Sequence, residues 1–290
     1  MRSTTLLKDL ATRREALTVP GVPNALFARV VEDLGFSVVY LTGAGLANMH
    51  LGAPDIGLTT LTEVASALAA MADAVSLPII VDADTGFGNA LNMVRTIRVL
   101  ERAGAAGIQI EDQVFPKRCG HFSGKEIIPL DQMVQKIKAA VDTRRDSDLQ
   151  IIARTDARAV EGLDRAIERA VAFAAAGADL TFVEAPLSLL ELERIATEVD
   201  VPQVANIVYG GQTPDPGQKR LAEMRFSLVL YANAILQAAL KAANEVLTSL
   251  KADGSLARVA ERLASFEQRQ QSVAKNSWDA LERRYDAHAN

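Results

Sequence analysis

Cys119 is the only thiol in this chain of 290 residues, which excludes an internal disulfide and fits a reducing compartment. Histidines number three and aromatics make up 5% of residues, so any large core must be built from Ala, Val, Leu and Ile. Charge of one sign is never concentrated: 31 basic and 36 acidic side chains give a formal charge of −5 and are interspersed. A nucleic-acid partner is therefore not expected, because phosphate binding needs a concentrated basic face. Apolar runs stop short of the ~18 residues that suggest a membrane span, so no membrane partner is expected either. Residues 1–10 lack the apolar stretch of a signal peptide. No Gly-x-Gly-x-x-Gly turn follows the first strand, which weighs against a dinucleotide-binding fold. These absences leave a cytoplasmic α/β enzyme as the expectation.

What is present is alternation. Short β-branched runs at 16–19, 37–41, 78–82, 107–111, 150–154, 180–184, 201–206 and 226–230 are separated by Ala/Leu-rich segments with helical spacing, such as 61–74, 90–103, 132–143, 163–176 and 189–199. Near-continuous apolar strands between helices read as a parallel sheet buried on both faces. Gly35, Gly104 and Gly177 stand where helices want a left-handed C-cap. About eight β/α units predict one TIM-type (β/α)8-barrel domain over 1–290, with a doubly wound open sheet as the alternative. Residues 234–290 exceed what one closing helix needs, so this helical extension is expected to serve oligomerisation.

Polar groups follow the apolar strands in nearly every unit: Tyr40 and Thr42-Gly43, Asp82 and Asp84, Glu111 and Asp112, Arg154 and Asp156, Glu184, Asn206, Tyr231. In a barrel these strand ends form the active-site face. Asp82 and Asp84, two apart, are expected to aim together by the strand period, with Glu111 beside them on the next strand. Converging carboxylates resist ionisation without a cation, and all-oxygen ligation suits Mg²⁺, or Mn²⁺. The competing reading makes Asp84-Thr85 and Glu111-Asp112 helix caps. Arg154 suits a substrate carboxylate; its structural alternative is an ion pair with Glu184 or Asp156. Cys119, flanked by Lys117, Arg118 and His121, reads either as a small core residue or as an activated thiol. The glycines around it suggest a loop over the barrel mouth. Thr42-Gly43-Ala44-Gly45 offers backbone N–H groups to an anion. His50 and His288 read as surface or packing residues.

At these positions the sequence resembles the isocitrate lyase/phosphoenolpyruvate mutase superfamily, from about residue 20 to about residue 250. The matching stretches are Leu41-Thr42-Gly43, Pro54-Asp55-Ile56-Gly57-Leu58-Thr59, Val81-Asp82-Ala83-Asp84-Thr85-Gly86-Phe87-Gly88-Asn89, Ile110-Glu111-Asp112-Gln113, Lys117-Arg118-Cys119-Gly120-His121, Ala153-Arg154-Thr155-Asp156-Ala157 and Ala205-Asn206. The resemblance implies a TIM-like barrel, Mg²⁺, and a homotetramer of dimers that swap a C-terminal helix. It implies direct metal contact for Asp82, with Asp84, Glu111 and Asp55 acting mainly through water. It also implies a carboxylate-binding turn at Thr42, Gly43 and Ala44, and substrate contacts from Gly120, Arg154, Glu184 and Asn206. Tyr40 is expected near the reacting oxygen, and Cys119, beside His121, as general acid/base on the gating loop.

The Cys-Gly-His loop resembles the lyase branch, although carboxyphosphonoenolpyruvate mutase shares it. Three positions depart from the lyase pattern: Tyr209 replaces a glutamate, Ala232 a proline, and Gln237 the arginine of methylisocitrate lyases. The expected reaction is retro-aldol cleavage of a substituted malate, a 2-hydroxy dicarboxylate, to a 2-oxo acid and a carboxylate. Oxaloacetate hydrolysis or decarboxylation, a phosphonate mutase, and a non-catalytic 2-oxo acid binding barrel are the alternatives.

Overall fold

The computed structural model describes residues 1–120 and 124–286; the expectations for His121 and His288 fall outside them. Eight strands form in chain order: β1 (Leu17–Val22), β2 (Val39–Leu41), β3 (Ile79–Asp82), β4 (Gly107–Glu111), β5 (Gln150–Thr155), β6 (Leu180–Val183), β7 (Gln203–Asn206) and β8 (Leu228–Tyr231). Each pairs in parallel with the next, and β8 returns to β1 through Leu17 opposite Leu228, so the sheet closes into a barrel. The open-sheet alternative is thereby excluded. Strand positions agree with the sequence expectation, and the bounds move by one to a few residues, as element ends commonly do.

The strand period of two sorts the side chains. Val39, Leu41, Ile79, Val81, Ile108, Ile110, Ile151 and Ala153 point outward and pack with the helices in one large cluster. Tyr40, Ile80, Ile152, Phe182, Val204 and Leu230 fill the interior. By the same parity Asp82, Gln109, Glu111, Arg154, Glu184 and Asn206 face inward at the C-terminal end of the barrel. The apolar layers below them exclude water from the floor on which these groups stand.

Sequence reasoning did not foresee the first helix, Ser3–Thr12. Its Leu7 lies in the interior cluster and closes the barrel's other end. A side chain on Gly107 would come within 2.9 Å of Leu7 Cδ2, so the close approach needs glycine there. The C-caps are as expected, with φ of +80°, +103° and +102° at Gly35, Gly104 and Gly177. Helix starts are capped by side chains: Asn24 accepts from Phe27 N, and Thr60 and Asn89 build capping boxes with Glu63 and Asn92.

Beyond β8 the helix Ala234–Asp253 buries none of its residues and leaves Leu240 and Leu247 each 61% exposed. A 3-10 turn, Ala260–Arg262, and the helices Phe266–Ser272 and Lys275–Tyr285 follow. Among the described residues, no helix is long and apolar enough to cross a membrane.

Candidate active site

The inward-facing acids meet at the barrel mouth. Asp82 ends β3; its Oδ1 accepts from Asp84 N at 3.1 Å and from Gln109 Nε2 at 3.5 Å, and its Oδ2 from Gly43 N at 3.4 Å. The point where a Gly43 side chain would begin lies 3.0 Å from Asp82 Oδ2 and 3.2 Å from Asp84 Oδ1. Both carboxylates thus reach one small space, and only glycine leaves it open. Asp84 arrives differently from the expectation: it lies past the end of β3 with φ +48°, in the left-handed region. A turn aims it, not strand alternation. Such a conformation in a non-glycine residue costs on the order of 1–3 kcal/mol and persists only where its surroundings enforce it. Asp84 O accepts from Glu111 N at 2.8 Å, tying the turn to β4.

The helix-cap alternative fails for both acids. The helices that follow β3 and β4, Ala90–Arg102 and Leu130–Thr143, are preceded by Asn89 and Pro129. Asp112 has a different duty: its oxygens accept from Thr155 Oγ1 at 2.7 Å and Asp156 N at 2.9 Å, and Arg169 pairs with it at 3.3 Å.

Burial of this many acids shows in their proton affinities. Burial pushes the Asp84 carboxyl up to about 6, against the pull of Lys117 and with help from Asp82. Glu111 is pushed well above the usual range by burial, with Arg154 opposing. Tyr40 is likewise raised, by burial and then by Asp82, and stays a neutral phenol.

Lys117 was expected to act on its neighbour Cys119. Its ammonium instead turns into the acid cluster, 2.5 Å from Asp55 Oδ1 and 2.8 Å from Asp84 Oδ1. Despite burial, the surrounding carboxylates hold its pKa well above the ordinary value.

Arg154, on β5, forms the ion pairs considered as its structural alternative. Its Nε and Nη2 bind Asp156 at 2.9 and 3.0 Å; it also lies 3.4 Å from Glu111 Oε2 and 3.3 Å from Glu184 Oε2, over the Phe182 ring. The ion pairs expected as alternatives are thus formed. They orient a guanidinium that still borders the mouth. Asn206 Nδ2 donates to Glu184 Oε2 at 3.4 Å, leaving its buried Oδ1 without a hydrogen bond, as is Glu111 Oε1.

Thr42 precedes a short helix, Gly43–Leu46, and its Oγ1 accepts from Gly45 N at 3.3 Å. Cys119 is half-buried, and its N–H donates to Asp55 O at 3.1 Å. Between Cys119 and the helix Ala234–Asp253 lies a cavity of about 820 Å³ lined by Ala44, Asp55, Cys119, Leu236, Gln237 and Leu240 among others. No lysine or arginine among the described residues lines it. Gln237 Nε2 donates to Tyr209 O at 3.2 Å, and the Tyr209 side chain itself is 88% exposed, outside the acid cluster.

Among the described residues no three His, Cys, Asp or Glu side chains form a ready ligand cage. The donor set nonetheless fits a hydrated hard cation. Asp82 and Asp84 oxygens converge on a space that glycine keeps open, Glu111 Oε1 is buried without a hydrogen bond, and the Lys117 ammonium on Asp84 Oδ1 marks the cluster's demand for positive charge; waters complete such a shell readily.

Comparison with known proteins agrees with this architecture. Residues 7–251 match the family model for phosphoenolpyruvate phosphomutase. The chain belongs to the phosphoenolpyruvate mutase/isocitrate lyase superfamily. Within that superfamily it is 43% identical to 2,3-dimethylmalate lyase of Eubacterium barkeri, covering 92% of each chain. It is 44% identical to 2-methylisocitrate lyase of Aeropyrum pernix, covering 89% of this chain and 83% of the relative. A crystal structure of 2,3-dimethylmalate lyase superposes with a TM-score of 0.93 at 31% identity, covering 100% of this chain and 97% of the other.

Sequence reasoning missed Lys125, whose Nζ binds Asp156 Oδ1 at 2.8 Å in a fully buried pair. It also missed Lys136, which donates to Thr85 O and whose pKa burial lowers to about 8. Neither lysine has a signal in the sequence, since Asp156 lies 31 residues from Lys125 and Thr85 lies 51 from Lys136.

Proposed function

We propose that the protein is a divalent-metal-dependent carbon–carbon lyase that cleaves an alkyl-substituted malate into a 2-oxo acid and a carboxylate. One arrangement carries this reading: Cys119 stands between an inward-facing charged cluster and a cavity whose far wall is apolar.

Arg154, with the backbone N–H groups of the Thr42-Gly43-Ala44 turn, grips the carboxylate next to the hydroxyl-bearing carbon. Glu184 and Asn206 border the same end of the substrate. Tyr40, kept neutral by burial, offers its hydroxyl toward the reacting oxygen beside Asp82. Mg²⁺, with Mn²⁺ as the alternative, is the ion this oxygen set suits; Asp82 would hold it directly and Asp84, Glu111 and Asp55 through water, and it supplies positive charge against that developing on the substrate oxygens. As the C2–C3 bond breaks, its electron pair passes to C3 while the C2 hydroxyl becomes a carbonyl. The hydroxyl proton leaves toward the carboxylate cluster, and the Cys119 thiol delivers a proton to C3. Gly120 packs against Arg154 and Glu184, so close that a side chain there would stand 2.5 Å from Arg154 Nη2. This keeps water from the carbanion.

The cavity favours an alkyl substituent over a third carboxylate. Leu236 and Leu240 give a carboxylate no cation, and Gln237 is neutral and engaged with Tyr209 O. Burying an unpaired carboxylate there costs more than burying methyl groups gains. The exposed leucines of Ala234–Asp253 support packing of the 234–290 extension on other subunits of a helix-swapped homotetramer.

A Mg²⁺-dependent screen of 3-alkyl malates, isocitrates and oxaloacetate, read by 2-oxo acid release, tests the proposal. Turnover of 2,3-dimethylmalate with a metal requirement is the expected result. Preferred release of oxalate or pyruvate from oxaloacetate, or a ³¹P signal for phosphonate rearrangement, would replace it with a hydrolase, decarboxylase or mutase. Tight 2-oxo acid binding without any turnover would leave a binding protein.

A further inference from the structure

A buried ammonium is expensive unless its partners require it. Lys125 has 2% of its side chain exposed and pairs with Asp156, which is wholly buried. Yet Asp156 does not lack partners. Arg154 binds it through two nitrogens, and its own N–H is anchored on Asp112. Burial raises the proton affinity of Asp156, but Arg154 and then Lys125 outweigh it and hold the carboxyl at about 2. Arg154 is shared with Glu111 and Glu184, so Lys125 adds to the hold on Asp156, but charge balance is not all it supplies.

What Lys125 does that Arg154 does not is reach the cysteine segment. Its Nζ donates to Gly120 O at 2.5 Å while remaining 2.8 Å from Asp156 Oδ1. The Cys119-Gly120 dipeptide is thus held from both sides. Cys119 N–H is tied to Asp55 O, and Gly120 C=O to Lys125. Asp156 Oδ1 accepts from both Lys125 and Arg154 Nη2, so one carboxylate oxygen references the thiol-bearing backbone to the guanidinium that grips substrate.

We propose that Lys125 is a positioning residue that sets the Cys119 thiol in register with Arg154, through the Gly120 carbonyl and Asp156. The proposal rests on the roles of Cys119 and Arg154 in the reaction given above. It does not require that the substrate be a malate.

Cys119 is the chain's single cysteine, so alkylation by iodoacetamide reports on this segment alone. In the full-length protein, Lys125→Met is expected to raise the alkylation rate about fivefold or more. It should lower kcat on 2,3-dimethylmalate about 10–100-fold, with KM changed less than about threefold. Lys125→Arg, which retains charge and reach, should recover most of both. Alkylation and kcat within about twofold of wild type in Lys125→Met would overturn the proposal, as would a fall in kcat with unchanged alkylation. Should Lys125→Met not fold by circular dichroism, Lys125→Gln decides: it is polar but too short to span both partners, and a wild-type alkylation rate there overturns the proposal. If wild type cleaves no malate, the function is misassigned while the alkylation comparison still judges Lys125.

Discussion

The barrel mouth has two unlike sides. On one, strand ends from β2 to β7 bring Tyr40, Asp82, Glu111, Arg154, Glu184 and Asn206 together, cross-linked by Lys117, Lys125 and Asp156. On the other, the helix Ala234–Asp253 presents Leu236 and Leu240 to a cavity that no lysine or arginine among the described residues lines. Most charged groups on the first side are held by two or more partners, often across separate strands. Residues on the second side hold one another only by packing. A network of that kind tolerates little change, because removing any member leaves a buried charge unpaired. An apolar wall accepts volume and polarity changes at modest cost. In the function proposed above, the first side carries the reaction and the second selects what undergoes it.

Substitutions can break this division. Cys119, at the border of both sides, should give the largest effect: Cys119→Ser is expected to lower kcat about 10²–10⁴-fold while 2-oxo acid binding by calorimetry persists. An unaffected rate removes the thiol from the mechanism. Next comes Asp82→Asn, expected to weaken Mg²⁺ activation at least about 100-fold in a metal titration. Equal activation of mutant and wild type would move the ion elsewhere. Gln237→Arg, on the apolar side, should shift the ratio of kcat/KM from 3-alkyl malates toward 2-methylisocitrate by about tenfold. If that ratio stays put, the helix Ala234–Asp253 does not read the substituent.

The smallest effect concerns protons. With burial as the main cause, Asp84 has a pKa of about 6, so at lower pH it is protonated in the metal-free protein. An ion must then displace that proton. Apparent Mg²⁺ affinity should rise with pH through about 6 as Asp84 ionises, with Glu111, also raised by burial, extending the rise, and proton release on binding should be larger at pH 5 than at pH 8. Calorimetry in buffers of different ionisation enthalpy measures this directly. Proton uptake, or release that grows with pH, contradicts the placement of Asp84 in the cluster.

Much of the charged side was legible beforehand. Period-two patterning puts Asp82, Glu111, Arg154, Glu184 and Asn206 on one face of their strands, and parallel strands of similar length bring those ends to one level. The turn at Asp84 was not legible, because a left-handed φ at a non-glycine residue has no local signature and is imposed by Glu111 N–H holding its carbonyl. Lys117 was visible only as a neighbour of Cys119 in the chain. Where a flexible four-carbon stem directs its charge depends on which carboxylates surround it in space. The plugging role of Leu7 was hidden as well, since a short amphipathic helix gives no hint of what it covers.

Local sequence thus determined the eight β/α units, their caps and the inward parity of the reactive groups, because these depend on neighbours within a few residues. Only the closed barrel decided that Lys117 answers Asp55 and Asp84, that Lys125 joins Asp156 to Gly120, and that an apolar cavity adjoins Cys119. Electrostatic pairing and cavity shape depend on distances between groups far apart in the chain, which exist only once the strands have closed on one another.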